Sequence, residues 1–318
     1  MYSMIGSISN VSKLILIAIS VFALSCKKEL PPKDPEFTYH SISLSSGSAT
    51  CFHFINNAEG FVGTSDGKIK HTTDSGTTWS SFYLPWYISA SIQDIHFMSA
   101  TKGFIVSDFL HTYKNSTWDI NQLNSDQGTL NTIKFIDDSH GILYGTSSDQ
   151  LYITSDGGDS WIKIKSPFSD ITEISFDKEF VVMLGEDGYL ASSKDYGASW
   201  KVSAASGLNS ISGVDVVNKN FIIATSYNTV YSTNSNLSSF YTEQRDIYLG
   251  TPRFCNLDDN TIFETHVQYG NMEINYSKNG GKYWQSITIQ NGNYISEFQK
   301  VENEIYALSQ YGILRGKR

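Results

Sequence analysis

An eight-residue turn pattern recurs along this chain and constrains what it can fold into. The pattern is Thr or Ser, any residue, Asp or Asn, any residue, Gly, two further residues and Trp. Asp and Asn side chains accept hydrogen bonds from the backbone amides that follow them, and Gly takes the positive φ that other residues resist. Each copy therefore predicts a tight turn between two antiparallel strands, with a large apolar ring at its far end. The copies contain Asp74, Gly76 and Trp79, then Asp156, Gly158 and Trp161, then Asp195, Gly197 and Trp200, and finally Asn279, Gly281 and Trp284.

The spacing of the copies predicts the architecture. Two degenerate copies, Thr112 to Trp118 and Ser232 to Phe240, fill the gaps between the four complete ones, and we expect them to keep their strands although their turns differ. The aromatic residues that close the copies recur at intervals of 39 to 44 residues. About 40 to 45 residues is the length of one four-stranded propeller blade. Those aromatic residues are Trp79, Trp118, Trp161, Trp200, Phe240 and Trp284.

The two ends of the chain bear on the number of blades. After the sixth repeat only three strand-like runs remain, near Ser296 to Val301, Ile305 to Leu308 and Ile313 to Arg315. Near the other end, Phe37 to Leu44 alternates apolar and polar residues as an outer strand does. Pairing these segments would remove open sheet edges. We therefore predict an all-β fold, a single seven-bladed β-propeller over residues 37–318, closed by the N-terminal strand; six blades with frayed ends is the alternative.

The turn pattern resembles the Asp-box, or BNR, repeat of the sialidase-like β-propellers. In architecture the chain is most similar to the propellers of photosystem II stability and assembly factors, over Phe37 to Arg318. This resemblance implies a secreted or lumenal, non-enzymatic protein that binds other proteins, and we expect a monomer. It also places the Asp-boxes opposite the ligand-binding face, so we interpret them as structural. Those factors bind through basic residues, which this chain lacks on its candidate face apart from Arg245 and Arg253, so the photosynthetic role is not carried over.

The first residues predict an export signal. Met1 to Asn10 contains no acidic residue, Lys13 is positive, and Leu14 to Leu24 is apolar but too short to span a bilayer as a mature helix. With the cysteine that follows, the segment resembles a bacterial lipoprotein signal peptide. The resemblance implies that residues 1–25 are removed, that Cys26 is acylated, and that residues 26–36 are a flexible tether at the cell envelope, at the outer membrane. An ordinary secretory signal or an uncleaved anchor is the alternative.

Sialidase activity is not expected. That activity needs three arginines to clamp the substrate carboxylate, and the four arginines here include two, Arg315 and Arg318, at the extreme C-terminus. The Arg-Ile-Pro signature of sialidases is also absent. The alternative function is a glycan-binding protein or another glycosidase, which would need two suitably spaced carboxylates. Candidates near the predicted inner strands are Asp94, Glu173, Asp215 and Glu297.

The loops opposite the Asp-boxes supply the candidate binding face. Tyr and Trp offer large, stiff contact areas with a hydrogen-bonding tip, which suits a protein or a sugar ring. A broad aromatic surface would favour a non-catalytic scaffold, and a deep polar pocket with facing carboxylates would favour an enzyme. The candidate residues are Trp86, Tyr87, Phe168, Arg245, Tyr248, Arg253 and Tyr294, and the hairpin turns beside them carry Asp66, Asp108, Asp149, Glu186, Asp187, Tyr227, Tyr269 and Tyr311.

Composition narrows the partners further. The formal net charge of −9 argues against nucleic acid, because affinity for phosphate backbones comes from clustered Lys and Arg. The seven histidines show no metal-binding spacing, so we expect no metal and no cofactor. Cys51 and Cys255 fall on innermost strands of blades that are not adjacent, so we expect two free, buried thiols rather than a disulfide.

Overall fold

In a computed structural model, the described residues of this chain form twenty-eight strands, arranged in seven four-stranded antiparallel sheets. Glu36–Lys317 form one compact unit. Within the part of the chain that is described, no helix is long and apolar enough to cross a membrane. The structure describes residues 35–44, 47–82, 90–121, 123, 130–146, 149–203, 211–217, 220–225, 229–234, 240–244, 253–258, 260–268, 271–280, 283–288, 294–309 and 312–317.

Six blades are each formed by one continuous segment, with the strands ordered from innermost to outermost along the chain. The first two are β2 Ala49–Phe54, β3 Gly60–Thr64, β4 Ile69–Thr72, β5 Ser80–Phe82, and β6 Asp94–Ser99, β7 Lys102–Val106, β8 Leu110–Lys114, β9 Thr117–Asn121. The next two are β10 Thr132–Phe135, β11 Gly141–Tyr144, β12 Leu151–Thr154, β13 Ile162–Lys163, and β14 Ile171–Asp177, β15 Phe180–Gly185, β16 Leu190–Ser193, β17 Lys201–Ser203. The last two are β18 Ile211–Val217, β19 Asn220–Thr225, β20 Thr229–Asn234, β21 Phe240–Gln244, and β22 Phe254–Asn256, β23 Ile262–Gln268, β24 Asn271–Ser277, β25 Gln285–Thr288.

The remaining sheet combines the two ends of the compact unit. Its strands are β26 Ile295–Val301, β27 Glu304–Ser309, β28 Gly312–Lys317 and, outermost, β1 Glu36–Ser41. The N-terminal strand predicted at Phe37 to Leu44 thus begins one residue earlier and ends at Ser41. Tyr39 lies directly over Gly312, where a Cβ atom would come within 2.4 Å of the ring. This sheet therefore joins β1 to the C-terminal strands, and small residues in β28 leave room for the aromatic rings of β1.

The core lies between neighbouring sheets. Phe61 and Phe97, from the first two blades, stack with ring centroids 3.7 Å apart, and both are fully buried. Phe97 also covers Gly103 of the second strand in its own blade, where a Cβ atom would lie 2.4 Å from the ring. The same Phe-on-Gly contact recurs in the first and third blades. Repetition of the sequence therefore becomes repetition of packing.

The antiparallel order gives each sheet two distinct ends. We call the end at which the innermost strands begin the mouth end; the turns between second and third strands and the connections to the next blade also lie there. The opposite end, which carries the Asp-box turns between third and outermost strands, is the box end.

In the third blade, Asp156 accepts hydrogen bonds from the Ser160 amide at 2.9 Å and from the Thr154 hydroxyl at 2.7 Å. The Thr154 hydroxyl accepts the Gly158 amide at 2.9 Å, which closes the turn.

The cysteine prediction is confirmed for the two positions that the structure describes. Cys51 and Cys255 are free thiols, and both are buried. Burial raises the pKa of the Cys51 thiol well above its usual value. Both side chains therefore behave as small apolar residues in the wall of the channel described next.

Candidate functional site in the central channel

The innermost strands surround a channel lined by polar side chains. All seven innermost strands contribute to the lining of a cavity of about 540 Å³, and each supplies one polar residue at an equivalent position. We call these seven residues the polar ring. They are His53, His96, Lys134, Ser175, Asp215, Asn256 and Gln299.

Three carboxylates lie two positions earlier on their strands than members of the polar ring, and therefore closer to the mouth end. Asp94, Glu173 and Glu297 line a second cavity, of about 280 Å³, together with Lys134 and Asp215. The four carboxylates that the sequence singled out by location thus line one cavity. This is the polar pocket that the glycosidase hypothesis requires.

Most of these side chains also hold neighbouring blades together. An innermost strand has one edge without a strand partner, so its backbone groups need other hydrogen-bond partners. Asp94 accepts the Ile133 amide at 2.8 Å, and Glu173 accepts the Val214 amide at 3.2 Å. Further cross-blade bonds run from Phe97 N to His53 Nδ1 (3.2 Å), Lys134 Nζ to Ile174 O (3.0 Å), Asn256 Nδ2 to Val216 O (3.0 Å) and Phe54 N to Gln299 Oε1 (2.7 Å).

Burial raises the pKa values of three channel carboxylates. Burial, reinforced by the charge of Asp94, raises the pKa of Glu297 to about 8. Burial also raises the pKa of Asp94 and that of Asp215 to about 6, against the hydrogen bonds that each accepts. At neutral pH Glu297 is therefore mainly a neutral acid.

The basic groups of the channel respond in different ways. Burial acts to lower the pKa of Lys134, but Tyr144 and the nearby carboxylates outweigh it, so the pKa is raised and the ammonium stays charged. Burial lowers the pKa of His53 to about 4, and burial together with His53 lowers the pKa of His96 well below its usual value. The two imidazoles, 4.1 Å apart between centroids, are neutral at pH 7. Since Nδ1 of His53 accepts the Phe97 amide, its proton lies on Nε2.

Arg253 is the predicted binding-face residue that the structure brings to the channel. Its Nη1 atom lies 3.1 Å from Oε1 of Glu173, across the cavity from one blade to another, and 41% of its side chain is exposed. Arg253 can therefore contact solvent or a ligand while paired. No set of three or more His, Cys, Asp or Glu side chains within the described ranges could hold a metal ion.

The structure describes two of the other predicted binding-face residues, Phe168 and Tyr294, and it places them in different surroundings. Phe168 is buried against Gly185 and the apolar core of the third and fourth blades, so its assignment to the binding face is corrected. Packing explains this position, because the ring fills the space that the glycine leaves open. Tyr294 is exposed and directly precedes β26 at the mouth end. Trp86, Tyr87, Arg245 and Tyr248, like Cys26 and Gly281, lie outside the described residues.

Two exposed aromatic residues at the mouth end escaped the sequence reasoning. Phe109 and Tyr189 lie in turns between second and third strands, and 48% and 46% of their surfaces are exposed. The sequence reasoning had selected the acidic residues of the same turns, Asp108, Glu186 and Asp187, and passed over the aromatic neighbours. A large aromatic residue one or two positions after an Asp in a hairpin turn is the available signal. With Tyr294, at 56%, these two form what we call the mouth aromatics.

Comparison with known proteins gives one family match. Residues 110–240 match the family model described as photosynthesis system II assembly factor YCF48. Over those residues, the chain is similar to that family. No curated protein sequence matches the chain.

Solved structures match over nearly the whole chain. A structure of YCF48 bound to a D1 peptide is 14% identical, with a TM-score of 0.73, and the match covers 91% of this chain and 98% of that one. YCF48 from Cyanidioschyzon merolae is 15% identical, with a TM-score of 0.70 and coverage of 89% and 98%. A virginiamycin B lyase from Staphylococcus aureus is 9% identical, with a TM-score of 0.70 and coverage of 90% and 100%. A binding protein and an enzyme thus share this β-propeller fold, and the choice between them rests on the site itself.

Proposed function

We propose that the protein is a non-catalytic scaffold of the bacterial cell envelope that binds a protein segment at its mouth end. The observation that carries the proposal is the group of mouth aromatics, Phe109, Tyr189 and Tyr294, exposed at the end where the channel opens. Exposed aromatic side chains on a folded surface are typical of protein-binding sites. The solved YCF48 structure with a bound D1 peptide supports the proposal, because a propeller with the same fold binds a polypeptide.

The hydrogen bonds of the channel carboxylates favour binding over catalysis. Asp94 and Glu173 accept backbone amides of neighbouring blades, and Asp215 accepts the Ser175 hydroxyl and the Asn256 amide. A carboxylate that acts as nucleophile or base must be free to approach substrate. These side chains instead satisfy strand edges.

A photo-crosslinking experiment tests the binding proposal. In cells that make the full chain, replacing Tyr189 with p-benzoylphenylalanine should give a discrete protein adduct on irradiation. The same replacement at Tyr283 is the control, because Tyr283 is 77% exposed but lies in an Asp-box turn at the box end. The same adduct at both positions, or none at Tyr189, would contradict the proposal.

Lipid anchoring through Cys26 is the second part of the proposal. It is supported by the apolar run that precedes the cysteine and by the charged, Pro-rich residues that follow it. Metabolic labelling with a fatty-acid analogue should mark the wild-type chain and not Cys26→Ala. The labelled protein should fractionate with the outer membrane; equal labelling of both chains would remove the anchor from the proposal.

A glycan-binding or glycosidase function is the second candidate, because the raised pKa of Glu297 suits a general acid. Its pKa of about 8 keeps it protonated at neutral pH, in a cavity that holds three more carboxylates. Hydrolysis of a panel of oligosaccharides by the wild type, abolished in Glu297→Gln, would establish this function. Absence of hydrolysis and of binding to a glycan array would remove it.

A further inference from the structure

We infer that the segment bound at the mouth end is a basic polypeptide, carrying Lys or Arg side chains next to apolar ones. The inference rests on the proposed function and specifies the partner's chemistry. Two independent features support it, the mouth aromatics and the excess of carboxyl groups in the cavity at the same end of the propeller.

The apolar contact comes from three different blades. Phe109, Tyr189 and Tyr294 belong to the second, fourth and last sheets, so they are distributed around the mouth end rather than clustered on one loop. Such spacing suits an extended segment that crosses the face, not a single side chain. Aromatic rings also attract guanidinium and ammonium groups that lie over their faces.

The electrostatic contribution comes from the cavity at the channel opening. Its described lining contains the carboxyl groups of Asp94, Glu173, Asp215 and Glu297, and the cations Arg253 and Lys134. Both cations already have partners, Glu173 and the Ile174 carbonyl. Four carboxyl groups thus line the cavity with two cations, so an incoming cation meets an excess of groups of the opposite kind.

One pair of carboxyl groups in the cavity favours an incoming cation. Asp94 and Glu297 both line it, and the pKa of Glu297 is raised mainly by burial and next by the negative charge of Asp94. A cationic side chain that enters the cavity would offset that repulsion. The formal net charge of −9 adds long-range attraction for a basic partner and repels an acidic one.

A display library of random dodecapeptides, panned against the full chain at low salt, tests the inference. We expect the recovered peptides to be enriched in Lys and Arg together with apolar residues, and depleted in Asp and Glu. Counter-selection against the double variant Phe109→Ser and Tyr189→Ser identifies peptides that bind at the mouth end. Recovery of acidic or charge-neutral peptides would overturn the inference and leave the proposed function standing, and failure to recover any peptide that the double variant loses would overturn both.

Substitution of Arg253 gives a second test with a predicted sign. Arg253→Met removes a positive charge from the cavity, so a recovered basic peptide should bind about two- to fivefold tighter, the size expected for one partly exposed charge. The gain should shrink as salt is added. Lys114→Met is the matched control, since Lys114 is a cation paired with Asp159 at the box end, and binding should not change. Weaker binding to Arg253→Met would mean that the arginine itself holds an anionic partner.

Discussion

Buried titratable groups of opposite kinds face one another in the channel and make stability depend on pH in two ways. His53, with its pKa lowered to about 4, contributes stability that is present above about pH 6.5 and is lost as the pH falls through 4. Glu297, with its pKa raised to about 8, contributes stability that is present below its unfolded value of 4.5 and is lost as the pH rises through 8. The fold should therefore be most stable at mildly acidic to neutral pH.

Substitution of Glu297 tests this pH dependence directly. Between pH 5 and pH 9 the wild-type chain should lose unfolding free energy as Glu297 becomes ionised, whereas Glu297→Gln should lose less, because the amide cannot ionise. Urea unfolding at pH 5, 7 and 9 measures the difference. Equal losses of unfolding free energy in the two proteins over that range would show that the pKa of Glu297 is not raised in the folded chain.

Among the aromatic residues of its turn, Trp161 should contribute most to the free energy of unfolding. Its ring packs edge-on against Phe104 and Phe135, at centroid distances of 6.3 and 5.9 Å. Trp161→Ala should therefore lower the free energy of unfolding by about 3 kcal/mol, as large aromatic truncations in cores do. Its neighbour Ile162, 62% exposed, is the control, and Ile162→Ala should change stability by less than about 0.5 kcal/mol. Equal losses in chemical denaturation would show that the ring is not part of the core.

At the scale of the element, the stability of the Asp-box turn depends on a side-chain oxygen that accepts hydrogen bonds, and not on the negative charge of the Asp carboxylate. Asn279 accepts the Tyr283 amide at 2.9 Å, just as Asp156 accepts that of Ser160. Asp156→Asn should thus retain most of the stability, and Asp156→Ala should lose about 1 kcal/mol, the contribution of a typical hydrogen bond. Thermal unfolding at pH 7 compares them. Loss of equal size in both variants would show that the negative charge is essential.

The degenerate turn of the second blade forms an ion pair with the Asp-box turn of the next blade. Lys114 stands where the pattern has Asp, and its Nζ lies 3.1 Å from Asp159 in the Asp-box turn of the next blade. Lys102 reaches the same carboxylate at 3.5 Å. An ion pair between blades therefore accompanies the loss of the Asp carboxylate that accepts the turn's hydrogen bonds in the complete copies.

The sequence predicted elements better than it predicted the site. Repeated Asp, Gly and Trp residues are local signals, so they located the third and outermost strands and the turns between them. The polar ring has no local signal, because His53, Lys134 and Asp215 come from strands far apart in the chain and meet only when the sheets surround the channel. Phe168 was misassigned for a related reason: its loop position suggested exposure, but Gly185 opposite it creates a space that the ring fills.

At the scale of the whole molecule, the fold depends on a sheet built from both ends of the compact unit. Gly312→Val should push Tyr39 away from β28 and weaken the β1 pairing, at a cost of about 1 to 3 kcal/mol, as for other overpacked sites. Hydrogen exchange of Glu36–Ser41 should rise more than that of the other strands. Adding Tyr39→Ala should restore part of the protection because it removes the clash. Uniform exchange throughout the chain would show that β1 does not open separately.

The direction of β1 fixes the end of the propeller at which the preceding residues are attached. As an outermost strand, β1 starts at the box end, where Glu36 is paired with Lys317, and runs toward the mouth end, where Ser41 is paired with Gly312. Under the proposed anchoring, a lipid on Cys26 would thus be joined to the propeller at the box end. The point of attachment would be at the opposite end from the channel opening, so an N-terminal tether and a partner at the mouth aromatics would not compete for the same surface.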